Sequence, residues 1–469
     1  MKSKFLAFIL LLTAGFSLSS CLNSDDDTNI EYTHDTAITA FSLGTLTRYY
    51  PGTSPSTGND TTLSATVEGS AYKFYINQTS RQIYNVDSLP VGTKTSAVLA
   101  TITSKQSSPL LWVYKNQSNE DSLAYYSSTD SIDFSTPRAI RVYNNDFSAY
   151  VAYNIQVNVH QEDGDVFLWH HLAQNNAQLA ALTQLKAVSA GDCIFVFGIN
   201  AGKVKIYQTK STDGASWTEV EGANVALTED AYKGVVAKDG VLYVLNNGAV
   251  LKSMDAKTWE TVAVDASLRQ LIGASSRYLY AYTTAGISVS KDNGATWIAE
   301  DLDTDASYLP KNSLSMAIAS IRSTKNAETL LLMGNRTENY ADTIATLWTR
   351  TVDYHTNASA GKWNYVEYDA HQGGKLPYLS TIQVAANDSG YVALGAGAFK
   401  EGENLVNRCK WYKSNNGLTW SVDTTVVAPS GYAFDQPAVL LRDNDNFYWV
   451  INNGNVWKGR YNRDGWKKD

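Results

Sequence analysis

The sequence has only three cysteines, nine prolines and no run of lysine or arginine, and beyond its first 21 residues no stretch nears the roughly 18 apolar residues of a membrane-spanning helix. Without a basic run nothing can neutralise a row of phosphates, and the formal charge of −8 opposes them, so nucleic acid is not expected as a partner. The acidity itself suits colloidal solubility outside the cell. Cys193 and Cys409 sit in strand-like apolar patterns, DCIFVFG and RCKWY, in different repeats, which favours buried free thiols over a disulfide. Scarce proline and 31 glycines accompany 29 Tyr and 12 Trp, a composition suited to half-buried pleated surface rather than to a helical bundle. The expected fold class is all-β. At 469 residues the chain needs either several domains or an architecture that grows by repetition.

What is present begins with a leader. MKSKFLAFILLLTAGFSLSSC has a two-lysine start, an apolar core from Phe5 to Leu12 and small residues before Cys21, the order of a secretory signal over residues 1–20. Leu18 to Cys21, LSSC, resembles the bacterial lipobox, which implies that the Cys21 thiol carries a diacylglyceryl group. Two or three acyl chains, at about 0.8 kcal/mol per buried CH₂, make a stable anchor. Losing Lys2 and Lys4 with the leader makes the mature chain more acidic still. The following linker, 21–37, contains Asp25, Asp26 and Asp27; this tract resembles the surface-export signal of Bacteroidota-type lipoproteins. Asp-Ser/Thr-apolar triplets at Asp35, Asp87, Asp121, Asp130 and Asp342 resemble the O-glycosylation acceptor of the same group.

Over 38–160 short apolar runs alternate with polar turns: AITAFSL, TTLSATV, AYKFYI, TSAVLATI, LLWVYK, AIRVYN and VAYNIQVNV. The spacing predicts an antiparallel sandwich of about seven strands, and the segment resembles the Ig-like N-terminal modules of Bacteroidota surface lipoproteins. Over 161–469 a unit recurs six times, an apolar strand, a tight polar turn and a strongly apolar strand, as in LKAVSAGDCIFVFG and VLLRDNDNFYWVI. A second hairpin follows each copy, and its far strand opens with Trp217, Trp259, Trp297, Trp363, Trp420 or Trp466, spaced 38 to 66 residues apart. Two hairpins per repeat make a four-stranded blade, and six blades make a β-propeller. The last copy lacks a fourth strand, which DVFLWHHL, 165–172, is expected to supply.

SKDNGATW, Ser290 to Trp297, fits the Asp-box pattern familiar from sialidases. Its chemistry argues for a turn: Asp292 accepts from the following backbone N–H groups, Gly294 takes φ > 0 and Trp297 starts a strand. Related turns carry Ser211, Asp213 and Trp217; Ser253, Asp255 and Trp259; and Ser414, Asn416, Gly417 and Trp420. These turns are read as structural. No catalytic residues are singled out. A sialidase needs three arginines on one carboxylate, and Arg269, Arg322, Arg350 and Arg442 have no such context. His170 and His171 look like a metal pair, but strand neighbours point to opposite faces, so one is expected buried and the other exposed. Neither a metal nor a cofactor is expected. The connections between blades hold Tyr232, Arg269, Tyr308, His371, Tyr378, Tyr432 and Asp435, aromatics among hydrogen-bonding groups that suit a sugar face or a peptide. Packing of blade on blade is the alternative role for these aromatics.

As a whole the chain resembles a Bacteroidota-type family of surface lipoproteins of unknown function with an Ig-like module and an Asp-box-like propeller. The resemblance implies a monomeric, outer-membrane, cell-surface protein that touches the membrane through its lipid alone. It would bind a glycan or protein ligand or serve as a scaffold; the alternative is an Asp-box propeller glycoside hydrolase with two facing carboxylates. Replacing Cys21 with Ala should release the protein from membranes. Continued fractionation of that variant with the outer membrane after a high-salt wash contradicts the anchor.

Overall fold

The computed structural model describes residues 35–321, 323–324, 326–337, 342–355, 361–368, 373–387, 390–401 and 404–466. Cys21, the acidic tract and His371 lie outside them. The protein is all-β, ends in a β-propeller and divides after Asp163 into two compact units.

Among the described residues the N-terminal unit contains eleven strands rather than seven, and it is not purely antiparallel. A sheet of three strands, Ile38–Leu43, Val98–Ser104 and Ser131–Ile132, shares one core with a sheet of six. Across the larger sheet run Phe74–Asn77, Gln82–Asn85, Tyr150–Gln156, Arg138–Tyr143, Leu110–Lys115 and Asp121–Tyr125. Within it Asn154 pairs with Gln82 in parallel register. A separate hairpin joins Thr45–Thr53 to Asp60–Glu68. The strands missing from the sequence reading lack an apolar signature: Asp121–Tyr125 is exposed throughout, and Thr45–Thr53 contains Pro51 and Gly52. Trp112 and Phe41 meet the ring of Phe134 edge-on at the centre of this core.

The second unit is built from six antiparallel sheets of four strands. Their innermost strands, Gln184–Ala190, Val236–Lys238, Leu268–Ala274, Asn312–Ser320, Thr381–Asn387 and Ala438–Arg442, touch in sequence, and the last returns to the first. Closure works as the repeat count requires. Phe167–Ala173 pairs with Asn455–Tyr461 and becomes the outermost strand of the sixth blade. Trp466 follows a short 3-10 turn at Asn462–Gly465, and the fourth-strand place of the blade belongs to Phe167–Ala173. The His170–His171 expectation also fails. The two pair in unbroken register with Lys458 and Trp457 and so point to opposite faces, but the strand lies outermost in its sheet and both residues are exposed. His171 stacks on Trp457 and shares a hydrogen bond with Asn455.

Each blade seals onto its predecessor through a separate apolar cluster, and the turn tryptophans wedge into these seams. Trp217 packs with Trp449 and Ile451 of blade six, Trp259 with Phe197 of blade one, Trp363 with Tyr280 of blade three and Trp420 with Leu331 of blade four. Trp297 packs against the seam between blades two and three. The turns repeat one geometry: indole Nε1 donates to the carbonyl three residues earlier, from Trp217 to Gly214 (3.0 Å), Trp259 to Ala256 (2.9 Å), Trp297 to Gly294 (3.2 Å) and Trp420 to Gly417 (3.0 Å). That carbonyl belongs to a residue at positive φ, 72° at Gly214 and 95° at Gly294, and a Cβ at Gly214 would strike Leu172 and Trp449 of the neighbouring blade. In the third blade, Ser290 Oγ donates to Asp292 (2.8 Å) and accepts from the Gly294 N–H (2.7 Å), while Asp292 accepts from Thr296 N–H (2.8 Å) and Oγ1 (2.6 Å). Ser253 and Asp255, and Ser414 and Asn416, repeat the pattern. Ser211 and Asp213 begin a looser version, in which Thr209 Oγ1 takes the Gly214 N–H.

Asp292→Ala removes these acceptors at an exposed turn. The expected loss of stability is on the order of 1 kcal/mol, the size of a lost local side-chain to backbone hydrogen bond. A variant with an unchanged thermal midpoint but abolished ligand binding would reverse the structural role of the turn.

Candidate functional site

An antiparallel blade places the starts of its innermost strand and the turn between its second and third strands at one end. The tryptophan turns lie at the other. The connections between blades therefore gather around the axis on the face away from those turns, and there the polar groups converge. Gln184 and Lys186 lie on the innermost strand of blade one, Tyr232 and Lys233 on the 3-10 turn Glu229–Gly234, and Gln270 on the innermost strand of blade three. Tyr232 OH donates to Gln184 Oε1. The Lys233 carbonyl accepts from Lys186 Nζ at 2.9 Å and from Gln270 Nε2 at 3.0 Å, so three consecutive blades meet on one backbone oxygen.

Two recesses adjoin this knot. One is the axial channel, a cavity of about 380 Å³ lined by all six innermost strands, with Lys186, Ser189, Ser315, Gln383 and Arg442 among its polar residues. The other, of about 430 Å³, lies between blades two and three and is lined by Thr228, Glu229, Asp230, Lys233, Asn247, Arg269 and Gln270. Asp230 is salt-bridged to Lys233 at 2.7 Å, and Arg269 is exposed, with Nη1 donating to the Ala266 carbonyl at 2.8 Å. Both volumes fall in the range of small-ligand sites.

Of the residues singled out in the sequence, the structure brings Tyr232 and Arg269 to this region. Others serve packing. Tyr432 is buried in the seam between blades five and six, and Tyr378 is buried with its OH donating to the Thr337 carbonyl at 3.0 Å. Tyr308 lies between blades three and four under Arg336, whose guanidinium sits 4.6 Å from the ring centre, and beside Tyr365. Loops that cover blade seams need apolar undersides, and these tyrosines supply them. Asp435 and Phe434 are exposed on the connection into blade six. The described arginines of the sialidase test do not converge: Arg269 is on the open face, Arg350 is buried 2.5 Å from Glu300, and Arg442 lines the channel. Cys193 and Cys409 are free, partly buried thiols in blades one and five; burial pushes Cys409 up to about 12. Gln184, Lys186 and Gln270 escaped the sequence reading. Their only signal is a polar residue in an otherwise apolar innermost strand.

A two-unit all-β chain whose second unit is a six-bladed propeller closed by its own first strand defines the structural class. Residues 41–157 match the DUF6242 N-terminal domain, a domain of unknown function, and residues 163–469 match the DUF6242 β-propeller domain. The chain belongs to the DUF6242 family. No curated protein matches it in sequence. Among solved structures it is similar to a streptogramin B lyase, at 13% identity over 63% of this chain and 98% of that one, with a TM-score of 0.33. It is also similar to a quinonprotein alcohol dehydrogenase-like protein from Bacteroides thetaiotaomicron VPI-5482, at 10% identity over 78% and 88%, TM-score 0.32. A GH43 protein from Bacillus licheniformis matches at 8% identity over 57% and 58%, TM-score 0.29.

Lys186 sets the electrostatics of the axis. Burial alone pushes its amine down to about 8, and among the described residues no carboxylate pairs with it. An unfolded lysine titrates near about 10.4, so between pH about 8 and about 10.4 the unfolded chain holds more protons than the folded one. Stability attributable to this group therefore rises with pH across that window, and at pH 7 the cation is a net cost. Lys186→Met is expected to raise stability at pH 7 by on the order of 1 kcal/mol, reduced from the full shift by solvent in the channel. Denaturation of both proteins across the pH range checks this: the advantage of the variant should shrink toward pH 10.

Proposed function

We propose that this protein is a lipid-anchored cell-surface binding protein that presents the connection face of its propeller to a glycan ligand. Cys21 carries the anchor, and the acidic segment after it holds the two folded units away from the membrane. The observation that carries the reading is the polar recess where blades one to three meet at the axis. It offers amide, hydroxyl and charged groups, Gln184, Tyr232, Lys233, Arg269, Asn247 and Gln270, on a rigid ring of strands. A hydroxyl-rich ligand is recognised by such fixed donors and acceptors, because each unmade hydrogen bond would leave a desolvated polar group.

The Ser-Asp-Trp turns contribute to stability and not to recognition, since the acid or amide oxygens and the indole N–H groups of the motif are spent inside the turn. Glycoside hydrolysis is the lesser reading. It calls for two carboxylates across a cleft, whereas Glu229 and Asp230 are neighbours on one short turn and Asp230 is committed to Lys233.

A glycan array run beside a panel of chromogenic glycosides tests both readings. Binding without turnover is expected, with Arg269→Ala and Gln270→Ala each weakening it by at least about 1 kcal/mol and Asp435→Ala having little effect. Full affinity in the Arg269→Ala, Gln270→Ala double variant would move the site off this face, and turnover of any glycoside would replace the binding role with an enzymatic one.

A further inference from the structure

The axial channel contains more positive charge than its surroundings lead one to expect. The whole chain is acidic, yet the charged residues that line the channel are Lys186, Arg442 and Asp443. Asp443 is committed elsewhere and does not pair with Lys186. Its carboxylate is buried and engaged by Trp449 Nε1 at 2.8 Å, by Lys458 at 3.3 Å and by two backbone N–H groups of its own turn.

Lys186 differs from Arg350 and Lys458 in how little the protein gives it. Arg350 has Glu300 at 2.5 Å, and Lys458 has Asp443. The Lys186 ammonium has three donors, and among the described residues a single acceptor, the Lys233 carbonyl, takes one of them. That same oxygen already accepts from Gln270 Nε2, so the bond positions the ammonium at the knot without neutralising it. A cation held at the wall of a cavity with donors to spare is a site for an anion, since a charge-assisted hydrogen bond is about twice as strong as a neutral one.

We infer that the axial channel binds the acidic group of its ligand, a carboxylate on a hydroxylated sugar ring, with Lys186 as the ion partner and Gln270 and Tyr232 positioned beside it. The inference rests on the glycan reading above and narrows it to acidic glycans. The cavity volume of about 380 Å³ limits the axial portion to roughly a small ligand, so the rest of a longer chain would run outward into the recess of Arg269 and Asn247. The stability that Lys186 forfeits at neutral pH is what a binding role explains and a packing role does not, because methionine would fill the same volume.

Isothermal titration of the full mature protein with D-glucuronate, D-glucose, inorganic phosphate and sulfate tests the inference. Glucuronate is expected to bind at least about tenfold more tightly than glucose, and Lys186→Met to remove that preference while folding normally. Lys186→Arg, which keeps the charge, should retain part of it. Equal binding of glucose and glucuronate would overturn the inference and leave the glycan reading standing. Tighter binding of phosphate or sulfate than of glucuronate would overturn the sugar acid in favour of an inorganic anion. Unchanged glucuronate affinity in Lys186→Met would remove Lys186 as the partner, and absence of binding to either sugar, with other glycans on the array also silent, would defeat the glycan reading itself.

Discussion

A four-stranded blade has two apolar faces and covers neither, and the propeller follows from that deficit. Each seam between consecutive blades is a separate core. The seam between blades six and one must form as well, or two faces stay wet. Its residues come from both ends of the unit: Ala173 and Val456 beside Ile194, Tyr207 and Trp217. Pairing Phe167–Ala173 with Asn455–Tyr461 holds that seam closed with a ladder of backbone hydrogen bonds, so the closure does not depend on side-chain packing alone. Trp169 on the closing strand then meets Trp411 of blade five at 5.5 Å, the contact that a turn tryptophan makes elsewhere in the ring. The sixth blade can therefore dispense with a Ser-Asp-Trp turn.

The same deficit divides the two faces of the ring. On one face the turns are short, and most of their polar atoms are engaged within the turn; a Cβ at Gly294 would come within 2.9 Å of Val250 of the preceding blade. The other face carries connections of varied length, which have only to cover the seam beneath them. Tyr432 and Tyr378 perform that cover from below. What remains above includes Lys233, Arg269 and Gln270, with Tyr232 partly packed on the seam between blades one and two, and it lies beside the axial channel that six repeats generate.

This division explains which features could be read from the sequence. The blades were legible because each repeats two signals, an apolar hairpin and a tryptophan after a polar turn, and the missing fourth strand at the end pointed to Phe167–Ala173. The N-terminal unit was less legible. QIYN and DSLAY are strands through pairing with their neighbours and carry no alternation of their own, so a one-dimensional pattern passes over them. The loop tyrosines allow two readings, ligand contact or blade packing, and the sequence alone does not separate them; the structure draws Tyr432 into a seam. Lys186 was hidden for the opposite reason. One lysine in QLKAVSA reads as the solvent side of a strand, and only ring closure turns that side inward to the axis.

The treatment of interior charge separates scaffold from site. Glu300 shows how the scaffold handles an acid: burial pushes its carboxyl upward, and Arg350 at 2.5 Å and Trp363 Nε1 at 2.5 Å counter that pressure. Asp423 is answered by Tyr461 OH and the Thr425 N–H, and Glu328 by Tyr354 OH. Each of these groups is satisfied by residues of the same or the adjoining blade, as interior charges must be if the seams are to stay dry. Lys186 breaks the rule at the axial channel that the six innermost strands surround. A methionine there would cost nothing in packing and would relieve an unneutralised cation, so stability alone gives no reason for the ammonium. On the inference drawn above, an acidic partner entering the channel would give Lys186 at the axis the pairing that Arg350 finds in Glu300 and Lys458 in Asp443 within the protein.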